Sequence, residues 1–93
     1  MSAEQVGEWL KNVVSGMVSN PDDIQIANSS DDMGVLFVLK AHKEDVGKLI
    51  GREGSTAKAI RTLLRCVGLS NKIRANLRID DGRPSNKPQN DYN

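Results

Sequence analysis

The stretch LIGREGSTAKAI, residues 49–60, sets Gly51 and Gly54 three positions apart around Arg52 and Glu53, and its reading decides the fold. Just upstream, KEDVGKLI (residues 43–50) puts Val46, Leu49 and Ile50 on one helical face, with Glu44 and Asp45 near the N-terminus, where a helix dipole favours acids. Just downstream, STAKAIRTLLRCVG (residues 55–68) sets Ile60, Leu63, Leu64 and Val67 in an apolar stripe opposite Lys58, Arg61 and Arg65. The pattern predicts two helices, the first ending at Gly51, the second capped by Ser55 and followed by Gly68 as its left-handed terminator. A bend between them leaves the amides at the start of the second helix unpaired, and glycines let another backbone come close. Such a bend suits a phosphate: the dipole adds positive charge, and Lys48, Arg52 and Lys58 lie within about one turn of it.

Outward from the bend, IRANLRI (residues 73–79) alternates apolar Ile73, Ala75, Leu77 and Ile79 with polar residues and reads as a half-buried strand. On the other side, VLFVLKA (residues 35–41) is apolar on both phases, which predicts a central strand buried on much of both faces. DIQIA (residues 23–27) alternates and reads as a strand, and NSSDDMG (residues 28–34) reads as the loop that turns the chain back. A first helix is expected over residues 3–19, from the recurrence of Val6, Leu10, Val13, Val14, Met17 and Val18 behind a Ser2/Gln5 capping box. Asn20-Pro21 ends it.

The order α-β-β-α-α-β predicts an α+β fold of two layers. Strands one and two pair antiparallel, strand three returns parallel to strand two after a two-helix crossover, and three helices cover one face of this mixed sheet. Residues 1–80 are expected to form one domain, with Phe37 in its core and Trp9 packed from the first helix. Residues 81–93 carry two prolines and no hydrophobic run, which predicts a disordered polar tail.

The formal net charge of +1 conceals a strong polarity. Residues 40–78 hold ten Lys and Arg against three acids, whereas residues 1–39 hold only Lys11 against six acids. A basic segment of that size can present a surface for anions. No apolar run approaches the ~20 residues of a membrane helix, and the first ten residues lack the pattern of a signal peptide, so no membrane association and a cytoplasmic location are expected. The lone Cys66 excludes an intrachain disulfide and reads as a packing residue.

The stretch DVGKLIGREGSTAKAIRTLLR, residues 45–65, resembles the core of a KH domain. With the α-β-β-α-α-β order, the resemblance is to the type II arrangement of small bacterial KhpA-type RNA-binding proteins, over roughly residues 4 to 80. It implies an RNA-binding protein, of the RNA-chaperone kind, that holds short single-stranded RNA. Gly51, Arg52, Glu53 and Gly54 would clamp phosphates, and Val46, Gly47, Lys48, Leu49 and Ile50 would form the helix beside an aliphatic base groove completed by strand two. Lys48, Arg52 and Lys58 would add phosphate contacts. The resemblance also implies a homodimer or a complex with a second KH-containing protein. Glu53 departs from the basic or neutral residue of many such loops, and Ala57 replaces a larger aliphatic residue. The paired substitution Gly51→Asp with Gly54→Asp is expected to weaken RNA binding while leaving the melting temperature near wild type.

Other chemistries lack their residues. Ser55 rather than lysine follows Gly54, which removes a Walker A loop. His42 is the only histidine and stands in no relation to a nucleophile, so no enzyme, no metal and no cofactor is expected. Three aromatic residues cannot furnish the stacking platform of an RRM. Glu53 and the near-zero net charge leave a second reading: a protein-interaction or dimerisation module with the KH fold and weak or vestigial RNA binding.

Overall fold

The computed structural model describes residues 1–80, so the tail expected over 81–93 lies outside the described residues. The chain runs α1 (Ala3–Ser15), a 3-10 turn (Pro21–Asp23), β1 (Gln25–Asp31), β2 (Gly34–Lys40), α2 (Lys43–Ile50), a 3-10 turn (Arg52–Gly54), α3 (Ser55–Ser70) and β3 (Ala75–Asp80). The sheet order is β1-β2-β3, with β2 antiparallel to β1 and parallel to β3. This is the α+β order and mixed three-stranded sheet that the sequence predicts.

One face of the sheet carries the core. Val35, Phe37 and Leu39 of β2 point into it and are buried, together with Val6, Leu10 and Val14 of α1, Leu49 of α2, Ile60 and Leu64 of α3, and Leu77 of β3. Leu36 and Val38 lie on the opposite face and are only half-buried, which corrects the expectation of a strand buried on both sides. Helices cover one face alone. Trp9 packs half-buried against the core, whereas Cys66 is exposed rather than packed.

Several element boundaries differ from the periodicity, the start of β1 at Gln25 rather than Asp23 among them. The Ser2/Gln5 capping box forms, with Ser2 Oγ accepting from Gln5 N at 3.2 Å and Gln5 Oε1 accepting from Ser2 N at 2.8 Å. Yet α1 stops at Ser15 instead of residue 19, because the amides of Ser19 and Asn20 turn to a carboxylate elsewhere in the chain. β1 extends through Asn28, Ser29 and Ser30, which had read as a loop, since pairing continues down to Asp31↔Gly34. Its residues are polar because they sit on an exposed edge strand, and Asp31 Oδ1 accepts from Met33 N at 2.7 Å to tighten the two-residue turn.

Gly68 is not the terminator of α3. The helix runs on to Ser70, Asn71 ends it with Nδ2 donating to Val67 O at 2.8 Å, and Lys72 takes the positive φ of 59°. Gly68 is buried inside the helix, where a Cβ would lie 2.6 Å from Ile73 O; its bare surface lets the chain pass into β3. β3 itself begins two residues later than the alternation suggested. Leu63, expected in the buried stripe of α3, is 49 % exposed, and Ala57 takes a place in that stripe instead.

Candidate nucleic-acid interface

The bend between α2 and α3 is built by positive φ angles at three of its four residues. Gly51 has φ 77° and ψ 174°, a region open essentially to glycine alone; Glu53 (φ 56°, ψ 27°) and Gly54 (φ 78°, ψ 12°) are left-handed. Gly51 N donates to Gly47 O at 2.8 Å and closes α2. Gly54 N donates to Gly51 O at 3.2 Å, and Ser55 N donates to Arg52 O. The expected free donors at the start of α3 are thus partly consumed.

The two glycines do different things. A Cβ on Gly51 would stand 2.2 Å from Thr56 Oγ1 and 2.7 Å from Thr56 N, so this position is closed by the first turn of α3. A Cβ on Gly54 would meet nothing within 4 Å. Space for a ligand therefore lies over Gly54. Ser55, expected to cap α3, is its first helical residue instead; Gly54 occupies the cap position, and no side chain satisfies the helix N-terminus. Nor does the first turn carry an acid, so the positive end of the 16-residue α3 is neutralised from within only by the neighbouring Glu53.

The predicted contact residues fall into separate places. Arg52, Glu53, Lys58 and Gly47 are exposed, and Arg52 forms no ion pair with Glu53. Val46 and Ile50 are half-buried and stand outside the core cluster, which leaves them apolar surface beside the bend. Leu49 is fully buried and offers nothing to a base. Strand β2 is flanked on both sides, and its inward side chains are core; the edge on the side of α3, against which α2 packs, is β3. Arg61 is half-buried, with Nε reaching Leu77 O at 3.4 Å, and is drawn toward β3.

Lys48 is engaged elsewhere. Its Nζ donates to Ser19 Oγ at 2.5 Å and lies 3.6 Å from Asp45 Oδ1. Asp45, which the sequence placed at the helix N-terminus for its charge, is turned inward and is the one charged residue buried among the described residues. Its Oδ1 accepts from Ser19 N at 3.1 Å, and its Oδ2 from Asn20 N at 2.9 Å and Asn20 Nδ2 at 3.1 Å. This anchor fixes the start of α2, and through it the bend, to the chain leaving α1. No short-range pattern announces it; the only signal is that Asn20-Pro21 breaks a helix and leaves amides in need of an acceptor. His42 caps α2, its Nδ1 accepting from Glu44 N at 3.1 Å.

Burial alone would push the Asp45 carboxyl up, but the amide of Ser19, the side chain and amide of Asn20 and the Lys48 charge outweigh it and hold it below the usual carboxylate range. A group whose folded pKa is depressed stabilises the fold above its unfolded value, about 3.9 for aspartate, and that contribution fades as pH falls through the folded value. Melting temperature should accordingly drop more steeply below about pH 4 in the wild type than in Asp45→Asn, which starts lower because one polar atom of the amide faces donors. Melting curves from neutral to acid pH check this; parallel profiles would contradict it.

No helix among the described residues is long and apolar enough to cross a membrane, and no group of His, Cys, Asp and Glu among them could hold a metal ion. The family model described as KhpA/KhpB, KH domain, matches residues 8–79. The chain is 43 % identical over 61 residues to the RNA-binding protein KhpA of Streptomyces coelicolor, covering 66 % of this chain and 77 % of that protein. It is 33 % identical over 81 residues to the RNA-binding protein KhpA of Bacillus subtilis, covering 87 % of this chain and 100 % of the relative. With the KhpA of Leifsonia xyli it shares 38 % identity over 72 residues, 77 % of this chain and 93 % of the relative. No solved structure matches the chain. The matched span runs from within α1 almost to the end of β3 and contains the whole bend, so the chain belongs to the KhpA/KhpB KH-domain family.

Proposed function

We propose that residues 1–80 act as one KH unit that binds short single-stranded RNA, with a phosphate seated on the bend at Arg52–Gly54 and bases laid along Val46 and Ile50 toward the free edge of β3. The observation that carries this is the open space over Gly54 at the positive end of α3, which no side chain caps. Arg52 and Lys58 supply exposed cations there. The name shared by the relatives, RNA-binding protein, supports the ligand class. Binding of this kind is non-enzymatic and needs no cofactor. It fits a cytoplasmic RNA chaperone.

One such unit holds about four nucleotides and binds weakly by itself. A homodimer, or a complex with a second KH-containing protein, raises affinity through effective concentration without a new contact.

Titration of the isotope-labelled protein with mixed oligoribonucleotides tests the reading. The amide resonances of residues 51–55 are expected to move first and furthest. Unmoved resonances there, with binding detected by other means, would reject the bend as the RNA site. With two or three phosphates neutralised, affinity for a single strand should fall about tenfold between 50 and 200 mM salt. A flat response measured by fluorescence anisotropy would contradict the phosphate contacts.

A further inference from the structure

The molecule has a second open edge, and its electrostatics are opposite to those of the bend. β1 is the outer strand on the side of α1, seven residues long, paired on one edge only and exposed at six of its seven positions. Its register with β2 is continuous, without a bulge, and it contains neither proline nor lysine, so it lacks the common devices that keep an edge from accepting another strand. Beside it, between α1 and β1, lies a cleft of about 450 Å³ lined by Glu4, Gly7, Glu8 and Lys11 on the helix and by Ile26 and Asn28 on the strand. Glu4 and Glu8 are exposed, and neither is in an ion pair.

We propose that this edge binds an extended basic peptide segment of a partner protein, which adds as a fourth strand to β1 and points alternate lysine or arginine side chains at Glu4 and Glu8. The spacing matches: four residues of helix advance about 6 Å, and two residues of strand advance about 6.6 Å, so successive same-face side chains of the incoming strand meet successive turns of α1. Ile26 gives an apolar contact between them, and Gly7, whose Cβ position faces the Phe37 ring at 3.5 Å, lets α1 lie close against the sheet at that level. Lys11, one turn beyond Glu8, selects a neutral or acidic residue at the next alternate position and so sets the register. RNA is disfavoured at the same place by the two carboxylates. Main-chain pairing supplies affinity and the charges supply selectivity, as in other strand-addition complexes.

The test uses the whole chain and a blocked threonine-rich peptide with two lysines two residues apart, with its glutamate-for-lysine counterpart as control. Amide resonances of Gln25–Asp31 are expected to shift, and some of those amides to exchange more slowly, with the lysine peptide only. Glu4→Lys with Glu8→Lys should weaken that peptide by about tenfold or more and admit the acidic one, with circular dichroism unchanged, since both positions are exposed. Equal shifts from both peptides, no shift at β1, or shifts at β1 from oligouridylate would each overturn the proposal. Because the readout lies on β1, it is independent of whether the bend at 51–54 binds RNA.

Discussion

Gly54→Asp is expected to lower affinity for single-stranded RNA on the order of a hundredfold while the protein keeps its fold. A Cβ at this position meets nothing within 4 Å, and the backbone angles (φ 78°, ψ 12°) fall in the left-handed region that aspartate and asparagine tolerate best among residues with a side chain. The new carboxylate occupies the space over the bend, where the proposed phosphate sits. Two unit charges about 4–5 Å apart near a protein surface repel by roughly 3 kcal/mol, which is the hundredfold. Gly54→Asn separates charge from shape: the same size and backbone tolerance without the charge should retain most of the binding. Anisotropy with a labelled oligoribonucleotide measures both variants, and circular dichroism checks their folding. Equal losses in the two would show that space rather than charge governs the site.

Gly51→Ala should instead cost the fold. The angles at Gly51 are open essentially to glycine, and the added Cβ would lie 2.7 Å from both Thr56 N and Thr56 Cβ, atoms that cannot yield without moving the start of α3. Strain and overlap together amount to about 3 kcal/mol, a large part of the 5–15 kcal/mol that holds a domain of this size. The melting temperature should fall by on the order of 15 °C. A thermal melt within about 3 °C of wild type would mean that the bend relaxes freely. The same geometry revises the expectation for the paired Gly51→Asp and Gly54→Asp substitution. Its loss of binding could not be assigned to the phosphate site, because the Gly51 half destabilises the fold; Gly54→Asp alone is the interpretable variant.

Much of this architecture was legible because local signals agreed with one another. The apolar spacing, the glycine pair and the proline fixed the number, type and order of the elements, and α2 spans the residues its periodicity assigned, Lys43–Ile50. Polar Asn28, Ser29 and Ser30 misled, because an edge strand need not bury its side chains; its backbone pairs whatever the side chains are. Leu49 and Ile50 are adjacent and equally apolar, yet one is core and the other surface, a distinction set by how α2 leans on α3.

The site divides along the same line. Gly51, Arg52, Glu53 and Gly54 could be read as a bend for an anion from sequence, since backbone freedom and helix ends are local properties. That Gly51 is a packing position and Gly54 an open one follows only from where Thr56 comes to rest. Lys48 resembled a phosphate ligand by proximity along the chain, but it donates to Ser19, 29 residues away.

The amino-acid order by itself determined the α-β-β-α-α-β succession, the place of the bend and the separation of acidic from basic halves, because these depend on neighbours a few residues apart. Tertiary structure alone decided that Asp45 is buried to receive the amides of Ser19 and Asn20, that α1 therefore ends at Ser15, and that β1 pairs on through Asn28, Ser29 and Ser30. The physical reason is that a hydrogen-bond acceptor or a strand edge acts across space, and nothing in a short window of sequence encodes which distant segment will reach it.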